Sequence, residues 1–343
     1  MNEQKNIQYI SSYTGLSEEK AKLYWEQLSF LAKYKYNSYR HYTPYTNFCY
    51  KLTNWLLQFE NSDEKEIMLD FLINNLIYIS EKEMIALMNT VIPEIVYPRF
   101  KKENTTNFID DAHLNEYFLS QSIFVGLSDG ARLDLFRYYN PELDNHQICL
   151  DFELSDSKFG NILRKLKSNE EKNNSFMIPE ELKNNVFIVL LDDFSGSGIS
   201  YIRFEDNVWK GKLFRLKRML EVFKKNKKVN VLLVPYLATS KAIMYISKYY
   251  KEIFSDDINF EICPVQLIKE TILSDNEKKI LKKYYENTCI QDEHYLKGRH
   301  EYPYLGFDQT SICLVLYHNT PNNTFPVIWQ GSQALFPRKQ RHK

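Results

Sequence analysis

From about residue 14 to residue 100, apolar positions recur at helical spacing, without the strict alternation of a half-buried strand. Ser17 precedes EEKAKLYWEQLSFLAKY, in which Leu23, Leu28 and Leu31 fall on or near one face beside Tyr24 and Phe30. That pattern predicts a helix capped by Ser17. Ser62 precedes DEKEIMLDFLINNLIYI, whose first turn carries acids that suit the helix dipole. Ser80 and Glu83 have capping-box spacing ahead of MIALMNTVI, and Pro93 and Pro98 then interrupt the pattern. Residues 1–110 are thus expected to form an all-helical N-terminal layer or hood.

Past residue 120 the texture changes. SIFVGL (122–127) is a short apolar run followed by the polar SDGAR and a helix-like LDLFRYY. HQICLDFEL (146–154) has strand character, and VFIVLL (186–191) is continuously apolar, as a strand covered on both faces must be. VNVLLVPYLAT (229–239) repeats that signature ahead of a helical KAIMYISKYYKEIF, and INFEICPVQLI (258–268) and SICLVLYH (311–318) supply two further strands. Strands alternating with helical segments predict an α/β domain over 111–335 with a mostly parallel, Rossmann-like sheet. The polar segment 167–175 reads as a mobile loop, and 336–343 as a basic tail.

Composition narrows the function classes. The 343 residues are 44% hydrophobic and 26% charged, as in an ordinary globular protein, and the 25 Tyr and 22 Phe provide large rings for a core. Lys plus Arg equals Asp plus Glu at 44 each, so no global field favours nucleic acid or an anionic membrane. The five cysteines are scattered with no CxxC pair, the N-terminus lacks a secretory pattern, and no apolar run reaches the roughly 20 residues that span a bilayer. A cytoplasmic protein with no membrane partner is expected, its cysteines serving as buried small hydrophobes. The seven histidines show no metal-ligand spacing, so no structural zinc is expected.

The segment that carries chemistry is VFIVLLDDFSGSGIS (186–200). In open α/β sheets, ligands bind beyond the carboxyl ends of the strands, and here two carboxylates stand at such an end. Asp192 and Asp193 suit the vicinal hydroxyls of a ribose, because ionised carboxylates accept strong charge-assisted hydrogen bonds. The loop Ser195, Gly196, Ser197, Gly198, Ile199 and Ser200 suits a phosphate: its glycines admit close backbone approach and its serines add hydroxyl donors. A helix starting directly after the loop would add its dipole. The bland alternative is an Asp/Gly/Ser loop that simply ends a strand.

This arrangement resembles the phosphoribosyl-diphosphate (PRPP) motif of type I phosphoribosyltransferases. Ile188–Leu191 stand for its four apolar residues, Asp192 and Asp193 for its acids, and Ser197-Gly198 with Ser200 for its Thr-Gly-x-Thr. Both replacements keep a hydroxyl. SIFVGLSDGARLDLFRYY is similar to that family's strand–loop–helix for the leaving diphosphate. Ser128, Asp129, Gly130, Ala131 and Arg132 would form its loop, with Arg132 as charge partner; a tight turn at Gly130 is the alternative. Asp129 is an unexpected charge there: either a Mg²⁺ ligand or a sign that the diphosphate function has changed.

SDGARLDLFRYYNP, LDDFSGSG and the late LGF…ICLVLYHNTPNNTFPVIW together resemble the PRTase-CE group over about residues 20–330. That group is known chiefly from bacterial conflict and anti-phage systems, including retron-associated effectors. The resemblance implies a phosphoribosyltransferase-like fold and Mg²⁺ entering with a PRPP-like ligand beside Asp192 and Asp193. It further implies a defence effector acting on nucleotides or nucleobases, by phosphoribosyl transfer or glycosidic-bond cleavage. His318, Asn319, Asn322, Asn323 and Trp329 would then belong to the pocket's hood, with Trp329 stacking on a base; a Pro-Asn turn explains the same residues without a ligand. Two rival functions stay open: a nucleotide sensor without transfer chemistry, and an assembly subunit binding a defence-system partner protein or structured RNA, with oligomers allowed. The Tyr- and Lys-rich stretch 33–51 reads either as a single-strand-binding surface or as a connector whose rings pack inward.

Overall fold

The computed structural model describes residues 3–103, 111–150, 156–173, 182–225, 227–286, 295 and 301–339. The chain divides into two units: Met1–Glu83 together with Lys269–Lys343, and Met84–Ile268. In chain order the strands are β1 (Ile77–Ile79), β2 (Ser122–Gly126), β3 (Ile148–Cys149), β4 (Asn185–Ser195) and β5 (Arg203–Glu205). They continue as β6 (Val208–Lys210), β7 (Lys228–Thr239), β8 (Asn259–Ile262), β9 (Gln266–Ile268) and β10 (Leu314–Leu316).

The first unit is mainly helical. Ser17 caps the helix Glu18–Tyr34 by accepting from the Lys20 N–H, as anticipated. The buried stripe is Ala21, Trp25, Leu28 and Ala32, whereas Leu23 and Phe30 are exposed. Of the leucines that periodicity placed on one face, Leu28 is buried, and Ala21, Trp25 and Ala32 complete the buried face. The cap of the helix Ser62–Asn75 is Asn61, one residue earlier than expected, because its amide oxygen accepts from the Glu64 N–H at 2.9 Å. Ser80 and Glu83 do form the reciprocal capping box.

The layer is not purely helical. β1 pairs in parallel with β10, Ile77 opposite Leu314, so the late SICLVLYH strand belongs to this unit and not to the main sheet. An apolar triplet does not specify which distant strand it joins. Of the 33–51 stretch, Tyr36 and Tyr39 are buried, while Tyr45 and Tyr50 are exposed.

The second unit holds a sheet of order β3-β2-β4-β7-β8, with β9 pairing the far end of β7, and every pairing is parallel. This is the α/β architecture with a mostly parallel sheet that the sequence implies. Helices cover the sheet because parallel strands need crossovers. Along β4, Val186, Ile188 and Leu190 join one core cluster with Leu216 and Leu220 of the helix Lys212–Lys224. Phe187 turns the other way, 4.1 Å from Phe100 and 5.1 Å from Phe118 between ring centroids.

Pro93 does not end the helical path. A π-helical turn, Val91–Val96, runs into the helix Tyr97–Glu103, where Pro98 occupies the first turn. A wide turn absorbs a residue without an N–H, and a first-turn proline gives up no intrahelical bond. Residues 167–173, expected as loop, lie in the helix Asp156–Asn173. Glu170 there pairs with Lys227 at 2.8 Å and accepts from the Asn184 N–H at 2.7 Å, so the charged composition reflects a bonded helix face. Residues 174–175 and 151–155 lie outside the described residues. Among the described residues no helix is long and apolar enough to cross a membrane.

Candidate functional site

Two strand ends build the site. β2 ends at Gly126, and Ser128 follows in extended conformation before the 3-10 turn Asp129–Ala131. β4 runs on through both acids to Ser195. Alternation along a strand sends adjacent side chains to opposite faces, and the structure gives the two carboxylates different surroundings accordingly.

Asp192 is fully buried. One oxygen accepts from Ser128 Oγ and, at 3.2 Å, from the Asp193 N–H. The other accepts from Tyr201 OH at 2.9 Å and from Lys212 Nζ in an ion pair. Burial raises the Asp192 carboxyl above the ordinary range, and the Asp193 charge adds to the rise, against the opposing pull of Lys212 and Ser128. Tyr201, also fully buried, is pushed well above its usual value by burial and by Asp192, so it stays a hydroxyl donor.

Asp193 is half-buried and abuts the β2 loop. A Cβ built on Gly130 would stand 2.1 Å from Asp193 Oδ2. Gly130 is therefore required for close approach: any side chain there displaces the carboxylate. Sequence reasoning treated the two acids as an equivalent pair. The fold makes Asp192 an internal anchor and leaves Asp193 the more open of the two.

The loop after β4 rests on the next strand. Thr239, at the end of β7, donates its hydroxyl to Gly196 O while accepting from the Ala242 N–H as cap of the helix Ser240–Tyr249. Gly198 has φ +78°, and a Cβ there would meet Ala242 O at 3.0 Å, so glycine is required on both counts. Ser195 and Ser197 are buried, Ile199 is half-buried and Ser200 is exposed. Among the described residues, the N–H groups of Ser197, Gly198 and Ser200 form no hydrogen bond with a protein acceptor, and that of Ile199 has only Ser197 Oγ at 3.4 Å. Unpaired N–H groups on buried residues such as Ser197 and Gly198 are uncommon, and with the exposed Ser200 N–H beside them they suit an anion-binding concavity.

No helix starts directly after this loop. A turn at Gly198–Ile202 leads into the β5–β6 hairpin, whose central residues Asp206 and Asn207 both have positive φ, as a type I′ turn requires. The helix Lys212–Lys224 begins only afterwards, and its first N–H groups, of Lys212 and Leu213, donate to Ser200 O and Tyr201 O. The dipole contribution expected of a directly following helix is thus absent from the loop. The hairpin instead returns the chain to Tyr201: a Cβ on Gly211 would lie 2.3 Å from Tyr201 O. That return delivers Lys212 to Asp192. No spacing in the motif signals this lysine; the Asp206-Asn207 turn is the one local sign that the chain doubles back.

In the β2 loop, Asp129 is exposed and Arg132 adopts a left-handed conformation at φ 46°. The Arg132 guanidinium forks onto Asp134, at 2.9 and 2.8 Å, and these bonds hold the Asp134 carboxyl below its ordinary range. Ala131 is buried, its carbonyl accepting from Tyr236 OH at 2.8 Å. Loop and strand acids are therefore brought together, as the sequence implied, with Arg132 already bound to a neighbouring carboxylate.

The remaining candidates belong to the first unit. Asn319 Oδ1 accepts from the Lys339 N–H, and Asn322 O accepts from the Phe307 N–H at 2.9 Å. Asn323 is buried and donates to Thr310 Oγ1 at 2.8 Å. Trp329 is buried against Tyr295 and donates to Thr324 O at 2.9 Å, and His318 lies two residues past the end of β10. A turn also forms at Pro321-Asn322, where the Thr324 N–H donates to Pro321 O at 3.1 Å. Cys149, Cys263 and Cys313 are buried and Cys49 half-buried; Cys289 lies outside the described residues. Among the described residues no group of three or more His, Cys, Asp or Glu is arranged to hold a metal ion.

A family model, PRTase-CE, matches residues 52–338. No curated protein matches the chain, and no solved structure does. The match runs through both units and contains the β2 loop, both strand-end acids and the Gly-Ser loop: the chain belongs to the PRTase-CE family of phosphoribosyltransferase-like proteins.

Proposed function

We propose that this protein binds a 5-phosphoribosyl ligand, either PRPP or a nucleotide carrying a 5′-phosphate, at the loop Ser195–Ser200. The observation that supports it is the run of uncommitted N–H groups on Ser197, Gly198 and Ser200 beyond the strand end. Such donors accommodate phosphate oxygens without breaking any protein bond. Asp193, open and next to Gly130, accepts from a ribose hydroxyl, and the Ser128–Arg132 loop faces the diphosphate. Asp192 already accepts from four donors, so Asp193 is the strand-end carboxylate that would help hold a Mg²⁺ entering with the ligand. Mg²⁺ supplies charge neutralisation of the leaving diphosphate when bound. In transfer, the C1–O bond to diphosphate breaks and a base nitrogen bonds to C1. With water as acceptor, a nucleotide instead yields ribose 5-phosphate and free base. The protein's part in either is positioning and electrostatics. The family resemblance supports a role as an anti-phage effector acting on nucleotides or nucleobases.

A nucleotide-sensing role is favoured by one specific feature: Arg132, the loop's cation, is forked onto Asp134, and Asp129 places an anion beside it. Both readings predict ligand-induced stabilisation; only the enzyme releases diphosphate or base. PRPP with Mg²⁺ at 100 times its dissociation constant is expected to stabilise the wild type by about 2.7 kcal/mol, read as a melting shift of several degrees. Asp193→Asn should lose that shift while its unliganded melting point stays near wild type. Silence of the wild type toward PRPP, ribose 5-phosphate and nucleoside monophosphates alike would sink the proposal. A separate expectation concerns Gly130→Ala: the added methyl displaces Asp193 rather than backbone, so affinity falls about 10-fold, the cost of one charged hydrogen bond, measured by calorimetry. Unchanged affinity would remove Asp193 from the binding role.

A further inference from the structure

Lys212 opens the helix Lys212–Lys224, and its backbone N–H donates to Ser200 O at 3.0 Å, beside the last residue of the phosphate-type loop. Its side chain runs from there to the strand end, where Nζ pairs with Asp192 and stands 5.1 Å from the Tyr201 ring centroid. An ammonium carries three N–H donors. One is used by Asp192, and among the described residues the others have no protein acceptor. The Lys212 side chain is 18% exposed, against 1% for Asp192. A cation thus bridges the interior and the open side of the site, next to a loop whose own N–H groups are uncommitted.

We propose that Lys212 is a ligand-binding cation of this pocket. Its two remaining donors hold phosphate oxygens of the phosphoribosyl ligand while the third stays on Asp192, which acts as a positioning residue. This deepens the 5-phosphoribosyl reading and rests on it. The ammonium bridges rather than transfers, because leaving Asp192 would strand a buried carboxylate next to Asp193 with no counter-charge. Ser128 and Tyr201 hold the Asp192 carboxylate in place, so the position of Nζ is set by the sheet and not by the flexible lysine chain. The β5–β6 hairpin acquires a purpose in this arrangement: it brings the first residue of the following helix back to the strand end.

The test is calorimetric titration with ribose 5-phosphate and with PRPP plus Mg²⁺, on wild type, Lys212→Gln and the double variant Asp192→Asn/Lys212→Gln. The double variant removes both buried charges together, so its stability recovers relative to Lys212→Gln. Its affinity for ribose 5-phosphate is expected to stay at least about 10-fold below wild type. Recovery of both stability and affinity would show that Lys212 only neutralises Asp192, and would overturn the proposal. A second readout needs no variant: reductive methylation of Lys212 in the wild type, followed by mass spectrometry, should slow when ribose 5-phosphate is bound. Unchanged reactivity at saturating ligand overturns the proposal as well. Wild type that binds neither ligand refutes the 5-phosphoribosyl reading itself, a different result from wild type that binds and variants that bind equally.

Discussion

Lys212→Met is expected to lower the unfolding free energy by about 3 kcal/mol at neutral pH, and to regain much of that loss in acid. The substitution removes the counter-charge of Asp192 and leaves a fully buried carboxylate with Asp193 beside it. Breaking a buried pair from one side costs about 3–5 kcal/mol; the lower end applies because the lysine is partly open to water. The pH dependence follows from the direction of the Asp192 shift. Its carboxyl is raised in the folded state by burial, and loses its main opposing influence when Lys212 goes. A group raised on folding contributes stability that is fully present below its unfolded value and is lost as pH rises through its folded value. The gap between variant and wild type should therefore narrow as pH falls from neutrality toward the carboxylate range. Melting points taken across that range check it, and a gap that widens in acid would contradict the assignment.

Phe336→Ala is expected to destabilise the first unit by about 3–5 kcal/mol, the usual cost of truncating a fully buried aromatic. Phe336 is completely buried, with its ring centroid within 5.8 Å of Tyr36, Tyr39, Tyr42, Phe48 and Tyr78. Its backbone is also committed: the N–H donates to Ile328 O at 2.9 Å and the carbonyl accepts from Thr320 Oγ1 at 3.0 Å. Chemical denaturation of Phe336→Ala and Phe336→Leu separates the two contributions. Leucine keeps apolar volume but not the edge-to-face contacts, and should recover about half of the loss. A change under about 1 kcal/mol for alanine would mean the site collapses without a cavity.

The Phe336 environment illustrates what sequence reading does not reach. A phenylalanine before PRKQRHK looks like the start of a basic tail, and nothing local indicates that five rings from residues 36–78 surround it. By contrast, capping at Ser17 and Ser80 was legible because it depends on residues three apart. The strands β4 and β7 were legible for a similar reason: only burial on both faces permits such continuous apolar runs. The Leu23 and Phe30 error had the opposite origin, since which helix face is buried depends on neighbours and not on side-chain size.

At the site the same division holds. The strand-end acids, the Gly-Ser loop and the β2 loop were readable because each is a contiguous string whose chemistry depends on local spacing, and the family relationship followed from them. Tertiary structure decided that Asp192 is an anchor and Asp193 the open acid, because alternation and packing assign each carboxylate its face. It also brought in Lys212, 20 residues along the chain, through a hairpin whose return no motif encodes. Local hydrogen bonding and burial pattern leave a trace in sequence; partners joined by chain reversal, such as Lys212 with Asp192 or β1 with β10, are settled only when the whole chain packs.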